Sequence, residues 1–187
     1  MATPTILDKI TRWKRVEIAR SKSAMPLETV RAEMAVAPPP RDFAAALRAS
    51  GVSDAAPPRS GGGSVRLIAE VKRASPSKGL LHPDLDAVAL ARAYEDHGAA
   101  AISLLTDRRF FQGSLDHLRA VRHHVGLPVL RKDFILAPYQ VYEARTFGAD
   151  AVLLIVAALS DGDLKVLYQL VHRLGMVALV EVHNQAE

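Results

Sequence analysis

Cysteine is absent from this chain, which excludes disulfides and thiolate metal sites and fits a cytosolic protein. Long apolar runs are missing as well. Hydrophobic residues make up 49% of the sequence, but charge interrupts them everywhere, leaving no stretch of about 18 apolar residues to span a membrane. The opening residues, MATPTILDKITRWKRVEIAR, are amphipathic and charged, not an apolar core with a cleavage site, so they do not read as a secretory signal. A net charge of +4 permits an acidic partner, yet no basic run is interleaved with aromatics as a nucleic-acid surface would favour. No Gly-x-Gly-x-x-Gly follows the first apolar strand and no Gly-x-Ser-x-Gly elbow occurs. The seven histidines show no His-x-x-x-His spacing. Dinucleotide, serine-nucleophile and metal chemistry are disfavoured accordingly.

What is present is one domain's worth of chain with a change of pattern in the middle. From Thr5 to about Met34, Ile6, Ile10, Trp13 and Val16, then Leu27, Val30 and Met34, recur at helical spacing, which predicts two short amphipathic helices with Pro26 opening the second. A third helix is expected from about Arg41 to Arg48 after a proline stop. The segment GVSDAAPPRSGGGS, residues 51–64, has the composition of a flexible linker. This divides the chain into a helical extension over residues 1–50, the linker, and an α/β region over residues 65–187.

In that last region strands are predicted at Val65 to Lys72, Ala100 to Leu105, Pro128 to Lys132, Ala151 to Val156 and Met176 to Val182. A helical pattern fills each gap, and Gly98, Gly148 and Gly175 stand between a helix and the next strand. Repeated βα units imply parallel strands with right-handed crossovers, hence a doubly wound sheet or a (βα)8 barrel. The strand ends favour the barrel, whose active site lies at the C-terminal ends of the strands. Glu70 and Lys72, Thr106, Lys132 with Asp133, and Glu181 all stand there.

Side chains alternate along a strand, so Glu70 and Lys72 in LIAEVKRASPSKG share a face, which in a barrel points inward over the mouth. An internal ion pair would explain one such couple. Further ionisable strand ends favour a ligand, because several buried charges are costly unless they serve each other or a substrate. Lys132 in PVLRKDF reads as a general acid, a Schiff-base nucleophile or an anion clamp, each requiring an anionic or carbonyl substrate. Its structural alternative is a pair with Asp133 or Glu181. Arg131 alternates to the opposite face, toward the surrounding helices. Of Phe110 and Phe111, one is expected to form a wall for a ring; Ser114 reads as a helix N-cap; Ser75 and Ser77 beside Gly79 are candidate anion donors or ordinary turn residues.

Several of these segments resemble the indole-3-glycerol phosphate synthase family of tryptophan biosynthesis. LIAEVKRASPSKG is similar to that family's first-strand signature, LTDRRFFQGSLDHL to its second unit, PVLRKDFILAPYQVYEARTFGADAVLLI to its third and fourth, VALVEVHN to its fifth strand, and ILDKI with APPPRDF to its N-terminal extension. The resemblance implies a (βα)8 barrel acting without cofactor or metal on 1-(2-carboxyphenylamino)-1-deoxyribulose 5-phosphate, a small phosphorylated substrate. It implies Lys132 as general acid, with Glu181, Glu70 and Lys72 in the later proton transfers and substrate placement, and Ser75, Phe111, Phe134 and Leu153 shaping the pocket. No nucleic-acid or membrane partner is implied, a cytoplasmic location is, and the oligomeric state is open. Because the family's phosphate site lies on strands beyond the fifth, the chain is expected to be a fragment, inactive alone. Another phosphate-binding barrel enzyme, an isomerase or a Schiff-base aldolase, shares the layout, as does a non-catalytic partial barrel that binds a partner chain.

Overall fold

The computed structural model describes residues 4–48, 65–185 and 187, and the linker expected over residues 51–64 lies outside them. Helix α1 spans Ile6–Ala24, started by a capping box in which Thr5 and Asp8 satisfy each other's backbone amides. It runs for 19 residues, longer than the short helix predicted, because nothing breaks it before Pro26. Helix α2 follows at Leu27–Ala35 and α3 at Phe43–Arg48, where Ala45 N donates to Asp42 Oδ1.

The α/β part reads β1 Ile68–Val71, a hairpin of β2 Ala74–Ser75 and β3 Gly79–Leu80, α4 Ala87–Asp96, β4 Ala101–Leu105, α5 Arg108–Phe111, α6 Leu115–His124, β5 Val129–Lys132, α7 Pro138–Thr146, β6 Ala151–Ile155, a 3-10 turn at Val156–Ala158, α8 Asp161–Arg173 and β7 Val177–Glu181. All five predicted strands and the four helices between them are present. The hairpin, α5 and the 3-10 turn were not predicted, being too short to show a period. Ser114 caps α6 as expected, its hydroxyl accepting from Asp116 N. Gly98, Gly148 and Gly175 hold φ of 84°, 88° and 75°. At Gly148 a Cβ would also stand 3.0 Å from Arg122 Cγ, so the site calls for glycine on two counts.

Strands β1, β4, β5, β6 and β7 form one parallel sheet in that order. A doubly wound sheet reverses its strand order at a switch point. Here the order never reverses, so successive right-handed crossovers set their helices on one face and leave the other to curl inward as a barrel wall. The two faces carry different cores. Ala69, Val71, Ile102, Leu104, Val129, Val152 and Leu154 meet the helices, together with Ala91, Leu118, Val141 and Leu167. On the inner face Ala101, Leu130 and Ala151 close around Phe43 of α3, with Ile68, Val177 and Leu179 beside them. Phe43 is 1% exposed, a burial worth about 1.5–3 kcal/mol, and it fills the inner face near the N-terminal ends of the strands. The opposite, C-terminal ends stay open.

Candidate active site

Period-two alternation places Glu70, Leu105, Lys132, Leu153, Ile155 and Glu181 on the inner face, and the register sets Leu105 beside Lys132 and Ile155 beside Glu181. These residues, with Lys72, Phe111, Asp133 and Phe134, line a cavity of about 200 Å³. A larger, more apolar cavity of about 550 Å³ adjoins it, sharing Phe111 and Phe134 and bounded by Ser75, Pro76, Ser77 and by Ile6, Leu7 and Ile10 of α1. The eight residues singled out from the sequence therefore fall around two joined cavities, with Ser75 in the second. Its hydroxyl accepts from Lys78 N at 3.2 Å, closing the turn of the hairpin.

Glu70 bridges two ammonium groups. Lys132 Nζ donates to its Oε2 at 3.0 Å, and Lys72 Nζ makes a short hydrogen bond to its Oε1. Partial burial opposes ionisation of Glu70, but the hydrogen bonds and charges of the two lysines outweigh it and hold its carboxyl below the usual glutamate range. The resulting group carries one carboxylate and two ammonium ions, set in a cavity whose remaining lining is Asp133, Glu181 and the apolar Leu105, Phe111, Phe134, Leu153 and Ile155. Lys132 is thus paired with Glu70, not with Asp133 or Glu181. Glu181 faces the same cavity from β7, with the His183 ring nitrogen Nε2 3.5 Å from its Oε1. Phe111 and Phe134 stand with ring centroids 6.2 Å apart and form an aromatic wall. Phe110 instead lies under Arg109.

Two strand-end residues expected to carry chemistry serve structure. Thr106 Oγ1 donates to Asp133 Oδ2 at 2.6 Å, and both residues are buried. Asp133 also meets Arg131 at 3.2 Å and Lys14 of α1 at 2.9 Å. Burial works against its ionisation, yet the charges of Arg131 and Lys14 and the Thr106 hydroxyl lower its carboxyl to about 2. Arg131 turns outward as its parity requires, reaching Glu143 and the Gln140 carbonyl of α7.

Sequence reasoning missed Lys14, Asp107 and Gly113. Asp107 caps α5 by accepting from Phe110 N at 2.7 Å and is 2.8 Å from Lys14 Nζ. Gly113 lies so close to the end of β4 that a Cβ would meet the Leu105 carbonyl oxygen at 2.1 Å, and this approach folds the α5 loop, with Phe111, over the strand end. For Lys14 a signal existed, since it sits on the row Ile10–Lys14–Ile18 of an amphipathic helix, where a lysine on the apolar stripe asks for a buried partner.

The sequence model of the indole-3-glycerol phosphate synthases matches residues 7–187. An indole-3-glycerol phosphate synthase of Roseiflexus sp. (strain RS-1) is 54% identical over 189 residues, covering 98% of this chain and 66% of that protein. Those of Mycolicibacterium vanbaalenii and Polaromonas sp. are each 50% identical, covering 100% and 97% of this chain and 64% and 66% of theirs. The chain thus spans about two thirds of the length of the curated relatives it matches. Among solved structures, a mandelate oxidase variant with (S)-mandelic acid aligns at a TM-score of 0.48 and 21% identity, over 62% of this chain and 42% of that one, too loosely to bear on function. With its inward-facing lysines and glutamates standing at the ends of β1, β5 and β7, and with half its residues shared with these relatives over nearly its whole length, the chain belongs to the indole-3-glycerol phosphate synthase family.

Proposed function

We propose that the protein carrying this chain converts 1-(2-carboxyphenylamino)-1-deoxyribulose 5-phosphate into indole-3-glycerol phosphate, carbon dioxide and water. The observation that carries this reading is Lys132 held by Glu70 against an aromatic wall. In ring closure the aromatic carbon bearing the carboxylate attacks the ketone carbon, and negative charge develops on the ketone oxygen. Lys132 donates a proton there as the new carbon–carbon bond forms. Lys132 Nζ donates a hydrogen bond to the Glu70 carboxylate, the part of a proton donor and not that of the free lone pair a Schiff-base nucleophile requires.

Loss of carbon dioxide from the attacked carbon then restores the ring's aromaticity. Loss of the new hydroxyl as water, together with a proton from the adjacent carbon, completes the indole. Glu181 and the Glu70–Lys72 pair lie at the same cavity and are assigned to these later proton movements, Lys72 also meeting an anionic group of the substrate. Phe111, Phe134 and Leu153 pack the anthranilate ring. The neighbouring apolar cavity with Ser75 gives it room, so that binding folds the two reacting ends together. The substrate is soluble and needs neither cofactor nor metal in this scheme, and a cytoplasmic location accords with it.

The test is Lys132→Met in the protein expressed from its whole reading frame. Turnover is expected to fall by at least about 100-fold, the usual scale of a general acid, with the fold intact by circular dichroism. Near wild-type turnover in the variant would remove Lys132 from that role. No conversion of the substrate by the unaltered protein would overturn the reaction itself.

A further inference from the structure

Lys14 lines neither cavity, yet its surroundings lead to both. It is 1% exposed, and its ammonium lies 2.8 Å from Asp107 Oδ2, 2.9 Å from Asp133 Oδ1 and 3.0 Å from Glu17 Oε1. Taking one ammonium and two carboxylates out of water is costly, and apolar side chains of similar volume would fill such a space without that cost. Each carboxylate is also the anchor of a cavity wall. Asp133 directly follows Lys132, and its Oδ1 accepts from Phe134 N at 2.8 Å. Asp107 caps the short α5, which ends in Phe111. A second contact ties the same two helices together, the Arg109 guanidinium stacking 3.9 Å from the ring of Trp13, Lys14's neighbour.

We infer that Lys14 is a positioning residue: its ammonium clasps α1 across the end of β5 and the start of α5, and so holds Lys132, Phe134 and Phe111 in the geometry that ring closure needs. This rests on the reaction proposed above. The N-terminal helix thereby belongs to the catalytic apparatus while giving the reaction no proton and the substrate no charge. The charged groups around Lys14 are Glu17 of α1, Asp107 ahead of α5 and Asp133 after β5. Arg131 of β5 and Glu143 of α7 stand behind Asp133, and Arg108 of α5 lines a cavity together with Glu17. Without the ammonium, three carboxylates face one another with only Arg131 to balance Asp133. Their repulsion opens the clasp at neutral pH, and protonation of one of them on acidification relieves it.

The experiment compares Lys14→Met and Lys14→Arg with the unaltered protein, all from the whole reading frame, measuring kcat per folded molecule and KM from about pH 5.5 to 8. Lys14→Met is expected to lose about tenfold or more in kcat, the scale of a small misplacement, with KM changing less than about threefold. The loss shrinks toward acid pH, and Lys14→Arg recovers most of the activity. Emission of Trp13, the single tryptophan, shifts to the red in Lys14→Met as α1 loosens. A merely structural role would lower the yield of folded protein and leave kcat, KM and the pH profile of that fraction unchanged, and that result overturns the inference. Should Lys14→Met not accumulate as folded protein, Asp107→Asn carries the test, since the amide keeps its oxygen on Phe110 N and removes one charge from the clasp. A severalfold fall in kcat supports the clasp and wild-type kcat overturns it. An unaltered protein that does not convert the substrate overturns the reaction and this inference together, whereas full activity in both the unaltered and the Lys14→Met protein overturns this inference alone.

Discussion

Glu70 divides its two oxygens between two lysines, and that division sets the character of the site. A carboxylate can accept from both ammonium groups at once, whereas a glutamine can accept from one and must turn its own N–H donors toward the other. In Glu70→Gln the lysines therefore lose their common anchor. Turnover is expected to fall by about tenfold to 100-fold, with the melting temperature little changed because the group is partly solvated. Wild-type kcat/KM in this variant would show that the bridge has no part in the reaction. Lys72 and Lys132 are each about one-third exposed, so a bound substrate can reach them without unfolding the strand ends.

At the scale of the element, β5 shows how one strand end serves two purposes. Arg131, Lys132 and Asp133 are consecutive, and the pleat sends Lys132 inward to the cavity while Arg131 turns to the helices and Asp133 meets α1. The buried half of this arrangement is sensitive to acid. Asp133 has its carboxyl lowered to about 2 from an ordinary 3.8, so the folded state binds fewer protons than the unfolded one in that interval. Its contribution, about 2 kcal/mol, is complete above the ordinary value and lost as pH falls through the folded one. Urea denaturation near neutral pH and again near pH 3 should show the unaltered protein losing part of this stability, and Asp133→Asn losing it already at neutral pH. Equal stability of the two proteins at neutral pH would mean that the Lys14, Arg131 and Thr106 contacts contribute nothing net.

Across the whole molecule the N-terminal helices are fastened at several heights. Lys14 holds the upper end. Tyr139 Oη donates to the Ser21 and Met25 carbonyls at 3.1 and 3.0 Å, and Thr146 Oγ1 donates to the Val30 carbonyl at 3.0 Å. Near the base, buried Asp150 accepts from Arg41 N at 2.6 Å and Val129 N at 2.7 Å and pairs with Arg122, while Phe43 fills the inner face of the sheet. With charge and apolar contacts linking them to both ends of the strands, α1 to α3 should unfold with the sheet as one cooperative unit. Native-state hydrogen exchange should then give the central amides of α1 the same opening free energy as those of β4, β5 and β6. Exchange of α1 several kcal/mol more readily would make it a separate unit and weaken its claim to position the site.

Much of this was legible in the residues themselves. The alternation of strand and helix patterns, the helix-ending glycines, the Ser114 cap, the shared face of Glu70 and Lys72 and the outward turn of Arg131 follow from local rules, because period and backbone preference are properties of a few neighbouring residues. The family, too, was recognisable in the ordered segments from ILDKI to VALVEVHN. What periodicity reports is the face on which a side chain lies, not the group it meets there. That Lys132 pairs with Glu70, that Thr106 and Asp133 are withdrawn into a buried network, and that Lys14 reaches Asp107 and Asp133 were decided only when the sheet brought distant segments together, since an ion pair forms by proximity in space and its partners need no fixed separation along the chain.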